Sequence, residues 1–267
     1  MTGRYFRTVG LIAGAVVGWW CVFLISAGAG AEESPGVAGS ASSGQVATEG
    51  LVASASLDLG SYAELKDRQH LTLSDFALAD GSLIDLELEQ FEVFAQDAVI
   101  VASSETGDVS LGRPEVSLFR GQVVGDAESH AFVSVSPYGV NALIQTDDGT
   151  HVVSSGPAGA GGATVIYNLT TLPEGVITWR PFECATDQLE PLIPVTGGGA
   201  YGVRDTRSGS CRVAQIAVET DWEFTGDLFG GDTGASTADA ATLLGAASEI
   251  YTRDVNTRLE ICFLRIW

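Results

Sequence analysis

The three histidines of the chain are the first residues from which a catalytic zinc site could be built. Zinc hydrolysis needs neutral imidazoles that converge at about 2 Å from the metal, most simply two histidines one helical turn apart beside a glutamate base. His70, His130 and His151 are far apart in the sequence, and none belongs to an H-E-x-x-H motif. We therefore expect them to be surface or strand residues rather than metal ligands.

Other catalytic patterns are also missing from the sequence. It contains no G-x-S-x-G elbow, no phosphate-binding lysine loop and no G-x-G-x-x-G motif after a strand. Cys184 has no histidine near it in sequence, so nothing beyond the presence of this cysteine supports a cysteine nucleophile. A group of acids could supply oxygen ligands to Ca²⁺, but its spacing does not match a calcium loop, and we expect a solvated loop. These acids are Asp221, Glu223, Asp227 and Asp232.

Short alternating runs predict an antiparallel β domain between residues 51 and 170. Ile84, Leu86 and Leu88 point to one face and the acids between them to the other, which is typical of a half-buried strand. The Asp-Gly pairs that predict tight hairpin turns are Asp80-Gly81 and Asp148-Gly149. Further predicted strands are Phe91–Phe94, Ala98–Ala102, Glu115–Phe119, Ala131–Ser136, Val140–Gln145, His151–Ser154 and Thr164–Asn168.

The C-terminal segment has the periodicity of an α/β protein. Val213–Glu219 is a nearly continuous apolar run, which suits a strand covered on both faces. Ser236 is predicted to cap a helix with Asp239 as its capping-box acid, and Asn256 to end that helix. Arg258–Trp267 then reads as a second strand, so the segment is predicted to be one right-handed βαβ unit.

That βαβ unit lacks cover for both sides of its strands. One helix covers only one face of a two-stranded sheet, whereas both strands are apolar on two faces. We therefore expect residues 211–267 to be the beginning of a domain. The preceding Gly-rich stretch contains Arg204 and Arg207, which predicts an exposed linker that is either a cleavage site for a trypsin-like protease or an ordinary interdomain connection.

The composition of the chain excludes several classes of protein. Thirteen Lys+Arg residues stand against 34 Asp+Glu residues, and the formal net charge is -21. General nucleic-acid binding is excluded and adhesion to an anionic membrane is disfavoured, because both need clustered basic residues. Hydrophobic residues make up 45% of the chain and charged residues 18%, which is enough to bury a core and excludes wholesale disorder.

The N-terminus has the parts of a secretory signal. Two arginines precede an uncharged apolar run over residues 9–29, and small residues follow. This pattern predicts a signal peptide over residues 1–31, cleaved after Ala29 or Ala31, with an uncleaved membrane anchor as the alternative. In either case the rest of the chain is expected to be exported, and a stable membrane association is expected only if the signal is uncleaved.

Export determines how the cysteines are interpreted. Cys184, Cys211 and Cys262 remain after removal of the signal. In an oxidising compartment three cysteines indicate one disulfide plus a leftover thiol, or a missing partner further along the chain. The residues alone do not decide which two cysteines pair.

Several phrases of the sequence resemble those of a known family. The C-terminal segment contains C-R-V-A-Q-I-A-V-E-T-D-W-E-F over residues 211–224 and S-E-I-Y-T-R-D-V-N over residues 248–256, followed by a strand that ends in Trp267. This order resembles the opening of a reprolysin (adamalysin-like) zinc metallopeptidase domain. F-R-G-Q-V-V-G-D-A-E-S over residues 119–129 is similar to the family's propeptide, where a G-x-V-x-G-x-x-x-S phrase precedes a β-hairpin.

The resemblance implies a secreted zymogen whose zinc endopeptidase acts on protein substrates. The family's extended zinc motif does not occur in this sequence, so no zinc ligand or catalytic glutamate is carried over, and the chain by itself is expected to be inactive. Propeptides of the family can hold latency with a thiolate on the zinc. Cys184 is the candidate for that thiolate, and a Cys184–Cys211 disulfide is the alternative. Gln215 stands where many members carry a calcium-binding glutamate, which argues against a calcium site.

Together with the resemblance, the sequence predicts a β-rich propeptide domain followed by an incomplete α/β (βαβ) start of a metzincin-like peptidase domain. The predicted function is that of the N-terminal portion of a secreted zinc metalloendopeptidase zymogen. Alternatives are a non-enzymatic secreted β-sandwich-type module that binds protein or carbohydrate, and a propeptide-like inhibitor. The predicted divisions are 1–31 signal peptide or anchor, 32–50 flexible spacer, 51–195 propeptide domain, 196–210 Gly-rich linker and 211–267 truncated peptidase domain.

Overall fold

The computed structural model describes residues 52–53, 62–156, 164–173 and 210–267. These residues belong to two compact units, each of which is treated by itself. The N-terminal β unit comprises the described residues up to 90 together with those from 119 to 173, and the C-terminal αβ unit comprises residues 91–118 and 210–267. The predicted signal peptide, the spacer, almost all of the linker and Cys184 lie outside the described residues.

Strands dominate the described residues, which confirms the predicted β-rich character of the chain. In chain order the elements are β1 (Val52–Ala53), α1 (Tyr62–Leu65), β2 (His70–Ala77), β3 (Leu83–Phe91), β4 (Phe94–Ser104), β5 (Gly107–Ser110), β6 (Ser117–Val123), β7 (His130–Ser136), β8 (Gly139–Thr146), β9 (Gly149–Ser154), β10 (Val165–Asn168), β11 (Arg212–Glu219), a π-helical turn (Phe224–Leu228), α2 (Thr233–Val255) and β12 (Thr257–Ile266).

The N-terminal β unit is built on a curled antiparallel sheet, whose eight described strands lie in the order β1-β10-β9-β8-β7-β6-β3-β2. Strand β3 shows the predicted alternation, because Leu86 and Leu88 are buried while Glu87 is exposed. The predicted Asp-Gly turns are confirmed as well, since Gly81 and Gly149 adopt positive φ at the β2–β3 and β8–β9 hairpins. Large side chains buried in this unit include Phe119, Leu86, Ile144, Val133, Val135 and Val153.

The C-terminal αβ unit contains a second sheet, whose four described strands lie in the order β11-β12-β4-β5. Strands β11 and β12 are parallel and are joined through α2, which confirms the predicted strand–helix–strand order. Strand β12 is also parallel to β4, and β4 forms an antiparallel hairpin with β5. This β4–β5 hairpin, residues 94–110, lies within the segment that the sequence analysis assigned to the propeptide domain. The second sheet therefore joins strands from both predicted domains.

One predicted strand is wrong, and one strand lacks cover as predicted. Phe91–Phe94 is not a strand of its own, because β3 ends at Phe91 and β4 begins at Phe94, where the chain passes from the first sheet to the second. Strand β11 lacks cover on both faces, as expected from its apolar run, because Val213 and Glu219 are exposed and exposed residues alternate with half-buried ones. The physical reason is that, in the described part of the chain, α2 is the one helix that packs on this sheet, and it packs against β12.

Helix α2 begins earlier than the sequence suggests. Its N-cap is Asp232, whose Oδ1 accepts a hydrogen bond from a backbone N–H of the first turn at 3.0 Å, and not Ser236. The reason lies in Gly230 and Gly231, whose φ angles of 60° and 84° turn the chain immediately before Asp232 and leave it extended. The predicted helix end is confirmed, because Asn256 adopts the left-handed conformation that closes a helix.

Candidate functional site

The junction between β4 and β12 is the place where the structure brings distant parts of the chain together. In the parallel register Leu264 lies opposite Ile100, and Ile266 lies opposite Ala102. Ile261, Leu264 and Ile266 are completely buried, and Ile100 is 3% exposed. Strand β12 is thus a central strand between β11 and the N-terminal hairpin, and α2 packs against it.

An irregularity in β4 interrupts this junction and is held by an arginine. The register shifts between the pair Ile261–Phe94 and the following pairs, which leaves several residues of β4 out of the ladder. Arg113 Nη2 donates to the carbonyl oxygen of Ala95 and, at 3.2 Å, to that of Gln96. Its guanidinium also lies over the ring of Phe94, 5.0 Å from the ring centroid. Arg113 therefore satisfies carbonyls that the strand ladder leaves free.

One buried hydroxyl fixes α2 against β12. Ser248 Oγ accepts a hydrogen bond from Leu259 N at 3.0 Å and donates one to Leu259 O at 3.3 Å. Ser248 is completely buried, and Leu259 is 1% exposed. Ser248 belongs to the phrase over residues 248–256 that carries the family resemblance. The contact gives this serine a structural role, because it joins the helix to the strand that follows it.

A carboxyl group is buried in the first half of α2. The prediction that Asp239 is the capping-box acid of Ser236 is wrong, because Asp239 lies within the helix and is buried. Its Oδ2 has no hydrogen-bond partner among the described residues. Burial therefore raises the pKa of the Asp239 carboxyl well above its ordinary value, because the charged form loses its hydration. Sequence reasoning missed this burial, because a carboxylate three positions after a capping residue is usually solvated.

The propeptide-like phrase over residues 119–129 forms a tight turn in the N-terminal β unit. Gly121 lies against the backbone of Glu87, where an added Cβ would lie 2.9 Å from the carbonyl carbon. Gly125 has a φ of 86°, which a residue with a Cβ rarely adopts. Ser129 Oγ accepts from Val123 N at 2.8 Å and donates to the backbone at the centre of the turn. The two glycines of the phrase therefore allow a close backbone approach and a positive φ, and its serine holds the turn by hydrogen bonds.

The histidines occupy strand positions, as expected. His70 and His130 are exposed at the starts of β2 and β7. His151 lies in β9 and is 2% exposed, and its two ring nitrogens have no hydrogen-bond partner in the described part of the chain. Burial lowers the pKa of His151, and the carboxylates of Asp80 and Asp148 act against that shift. Sequence reasoning missed this burial, although the apolar residues that follow His151 in β9 were a signal for it.

All four acids of the group predicted to be a solvated loop are exposed, and two of them begin helical turns. Asp221 Oδ1 accepts from Phe224 N at 2.8 Å at the start of the π-helical turn, and Asp232 caps α2. Glu223 and Asp227 are exposed. Within the described residues no group of three or more His, Cys, Asp or Glu side chains could hold a metal ion.

The cysteines and Gln215 are placed as follows. Cys211 is exposed and Cys262 is half-buried, with its Sγ 3.3 Å from the carbonyl oxygen of Ile216. The predicted Cys184–Cys211 disulfide stays a prediction, because Cys184 lies outside the described residues. Gln215 Nε2 lies 3.4 Å from Glu260 Oε2, so the amide at the position discussed for calcium hydrogen-bonds to a neighbouring strand.

No protein-family model matches the chain, and no curated protein matches it at a significant level. In the described residues no helix is both long and apolar enough to span a membrane, and the apolar run over residues 9–29 lies outside them. The described residues thus form a strand pairing between an N-terminal hairpin, β4–β5, and the C-terminal β11–α2–β12 unit.

Proposed function

We propose that the chain is the N-terminal portion of a secreted zinc metalloendopeptidase zymogen, comprising a prosegment and the start of the peptidase domain. The observation that carries the proposal is the parallel β11–α2–β12 unit. The segments that resemble the family form its first strand, the end of its helix and its second strand, in the order that the resemblance implies. The C-cap of the helix is Asn256, which is the last residue of the family-like phrase over residues 248–256.

The exposure of β11 also supports the proposal. Within the described residues β11 is an edge strand, and Val213 is 48% exposed on it. An edge strand presents a row of backbone donors and acceptors that another strand can pair with. A peptidase domain that continues this sheet would use that edge. The proposal therefore assigns the zinc ligands and the catalytic glutamate to polypeptide outside this sequence, since H-E-x-x-H does not occur in it.

In this proposal the chain itself has no catalytic activity. Its role is to direct export of the peptidase and, as a prosegment, to shield and position the peptidase domain. The signal over residues 1–31 directs secretion, and the N-terminal β unit is the body of the prosegment. Arg204 and Arg207 are the proposed processing positions. The substrates are proteins, and they belong to the assembled enzyme and not to this chain alone.

The test is to isolate the secreted protein from its source with an antiserum raised against this chain. Peptide mapping, zinc content and casein hydrolysis are then measured on the same sample. We expect peptides that continue past Trp267 and contain H-E-x-x-H, stoichiometric zinc, and hydrolysis that a zinc chelator abolishes. A secreted protein whose mass ends at Trp267, with no zinc and with retained glycan or protein binding, would contradict the proposal and favour the binding-module alternative.

A further inference from the structure

The pairing of the β4–β5 hairpin with β12 has a consequence for what happens when the linker is cut. We infer that this hairpin is a strand donor that keeps the N-terminal part of the chain bound to the β11–α2–β12 segment after cleavage within residues 196–210. The inference concerns binding within this chain and holds whether or not the chain belongs to a peptidase.

Backbone pairing provides the first reason. Strand β4 pairs with β12 from Ile261, opposite Phe94, to Ile266, opposite Ala102, and Ile261 N also donates to Val93 O at 2.7 Å. Without β4, this edge of β12 would lose these partners. An unpaired edge of an apolar strand aggregates or recruits another strand, so pairing with β4 is favourable for β12. A cut in the linker does not change these backbone hydrogen bonds.

Side-chain burial provides the second reason. Leu264 of β12 is completely buried, and the facing Ile100 of β4 is 3% exposed. Separating the strands would expose both side chains to water, which opposes dissociation. At the rim, Arg265 Nη2 lies 3.4 Å from Asp108 Oδ2 in β5. Asp108 is exposed and Arg265 is half-buried, so this ion pair adds little to the strength of binding.

The inferred arrangement makes cleavage and release two separate events. The pairing of the hairpin with β12 resembles β-strand addition between two chains. In that binding mode main-chain hydrogen bonds provide affinity and alternating side chains provide specificity. If the proposed zymogen function also holds, a cut at Arg204 or Arg207 leaves the prosegment in place. Its removal then requires a second event that opens the β4–β12 pair.

The experiment uses the full chain carrying Cys184→Ser, which prevents a disulfide to Cys211 across the cut, and the recognition sequence of a site-specific protease inserted between Gly198 and Gly199. After complete cleavage, we expect both fragments to co-elute in size-exclusion chromatography at the position of the uncut chain. Hydrogen–deuterium exchange of the peptide over residues 259–266 should be equally slow before and after the cut. Separate elution of the two fragments in native buffer, or loss of that protection, would overturn the inference.

Matched variants locate the contact. Ile100→Asp places a charge opposite Leu264, and we expect the cut fragments to separate or to bind at least ten-fold more weakly. Gln96→Asp, an exposed change in the same strand, should co-elute like the parent. If the circular dichroism spectrum shows that uncut Ile100→Asp is unfolded, the test rests on hydrogen–deuterium exchange of residues 259–266 in the parent chain before and after the cut. Equal binding by the folded Ile100→Asp and Gln96→Asp chains would overturn the inference, because the fragments would then be held elsewhere.

Discussion

The guanidinium of Arg265 in β12 lies 3.4 Å from the carboxylate of Asp108 in β5, although 157 positions separate the two residues in the sequence. The same guanidinium lies 3.7 Å from Glu219 Oε1 at the end of β11. Arg265 thus links the N-terminal hairpin and the first C-terminal strand across β12. Arg265 is half-buried, but both carboxylates are exposed, so these ion pairs do not supply most of the stability of the second sheet.

Gly121 tests the structural basis of the propeptide-like phrase. Gly121→Ala would place a methyl group against the backbone of Glu87, which cannot move without disturbing β3. We expect a loss of about 1–3 kcal/mol in the free energy of unfolding, measured by urea denaturation. Gly112→Ala is the matched control, because nothing lies within 4 Å of its added Cβ, and it should change stability by less than about 0.5 kcal/mol. Equal stability of both variants would show that β3 and β6 do not approach so closely.

Ser248 tests how α2 is joined to β12. Ser248→Ala removes the hydroxyl that both accepts from and donates to the backbone of Leu259, in a completely buried place. We expect it to lower the free energy of unfolding by about 1–3 kcal/mol, the cost of leaving buried polar groups without a partner. Ser236→Ala is the control, because the equally buried Ser236 bonds only to carbonyls of its own helix turn. A larger loss for the control would contradict this role of Ser248.

Local features of the fold could be predicted from the sequence. The alternation around Leu86, the Asp-Gly turns and the helix end at Asn256 depend on residues close together in the chain, and each was predicted correctly. The start of α2 was missed, because Asp232 and Ser236 are both good capping residues. The two glycines that precede Asp232 decide between them, and their effect depends on backbone angles that the composition does not give.

The pairing of β4 with β12 could not be predicted. The apolar period shows that both segments are strands, but it does not say which strand each will pair with. The contact also joins residues far apart in the chain. The predicted domain boundaries place β4 in the propeptide domain and β12 in the peptidase domain. The buried polar groups were missed for a related reason: whether His151 or Asp239 is covered depends on the neighbouring elements.

His151 predicts how stability responds to mild acid. Burial lowers its pKa in the folded chain below the ordinary 6.5, so the unfolded chain binds more protons at acid pH. The free energy of unfolding should fall as the pH drops from 6.5 toward the lowered pKa, by at most about 1.4 kcal/mol for each pH unit. Urea titrations of the parent and His151→Leu between pH 7.5 and 5 should diverge in slope. The exposed His70→Gln should follow the parent, and an unchanged slope in His151→Leu would contradict the account.

Asp239 predicts the opposite sign at its own site. Because burial raises its pKa, the folded chain keeps a proton that the unfolded chain releases above about pH 4, and stability falls as the pH rises through that window. Asp239→Asn should therefore stabilise the chain at pH 7, with a gain that shrinks toward pH 4. Asp227→Asn is the exposed control and should change little. A destabilised Asp239→Asn at pH 7 would mean that the carboxylate is charged and paired in the folded chain.

The pairing of β4 with β12 is tested most directly by a cross-strand disulfide. Val99 and Phe263 are partners in the register, and neighbouring strands lie about 4.8 Å apart, within the range that a disulfide spans. With the natural cysteines replaced by serine, the Val99→Cys/Phe263→Cys chain should form an intramolecular disulfide under mild oxidation, identified by peptide mass spectrometry. The control Val99→Cys/Val213→Cys, two strands apart, should stay reduced. Failure of the first pair to form, or equal formation in the control, would contradict a sheet shared by the N-terminal hairpin and the C-terminal strands.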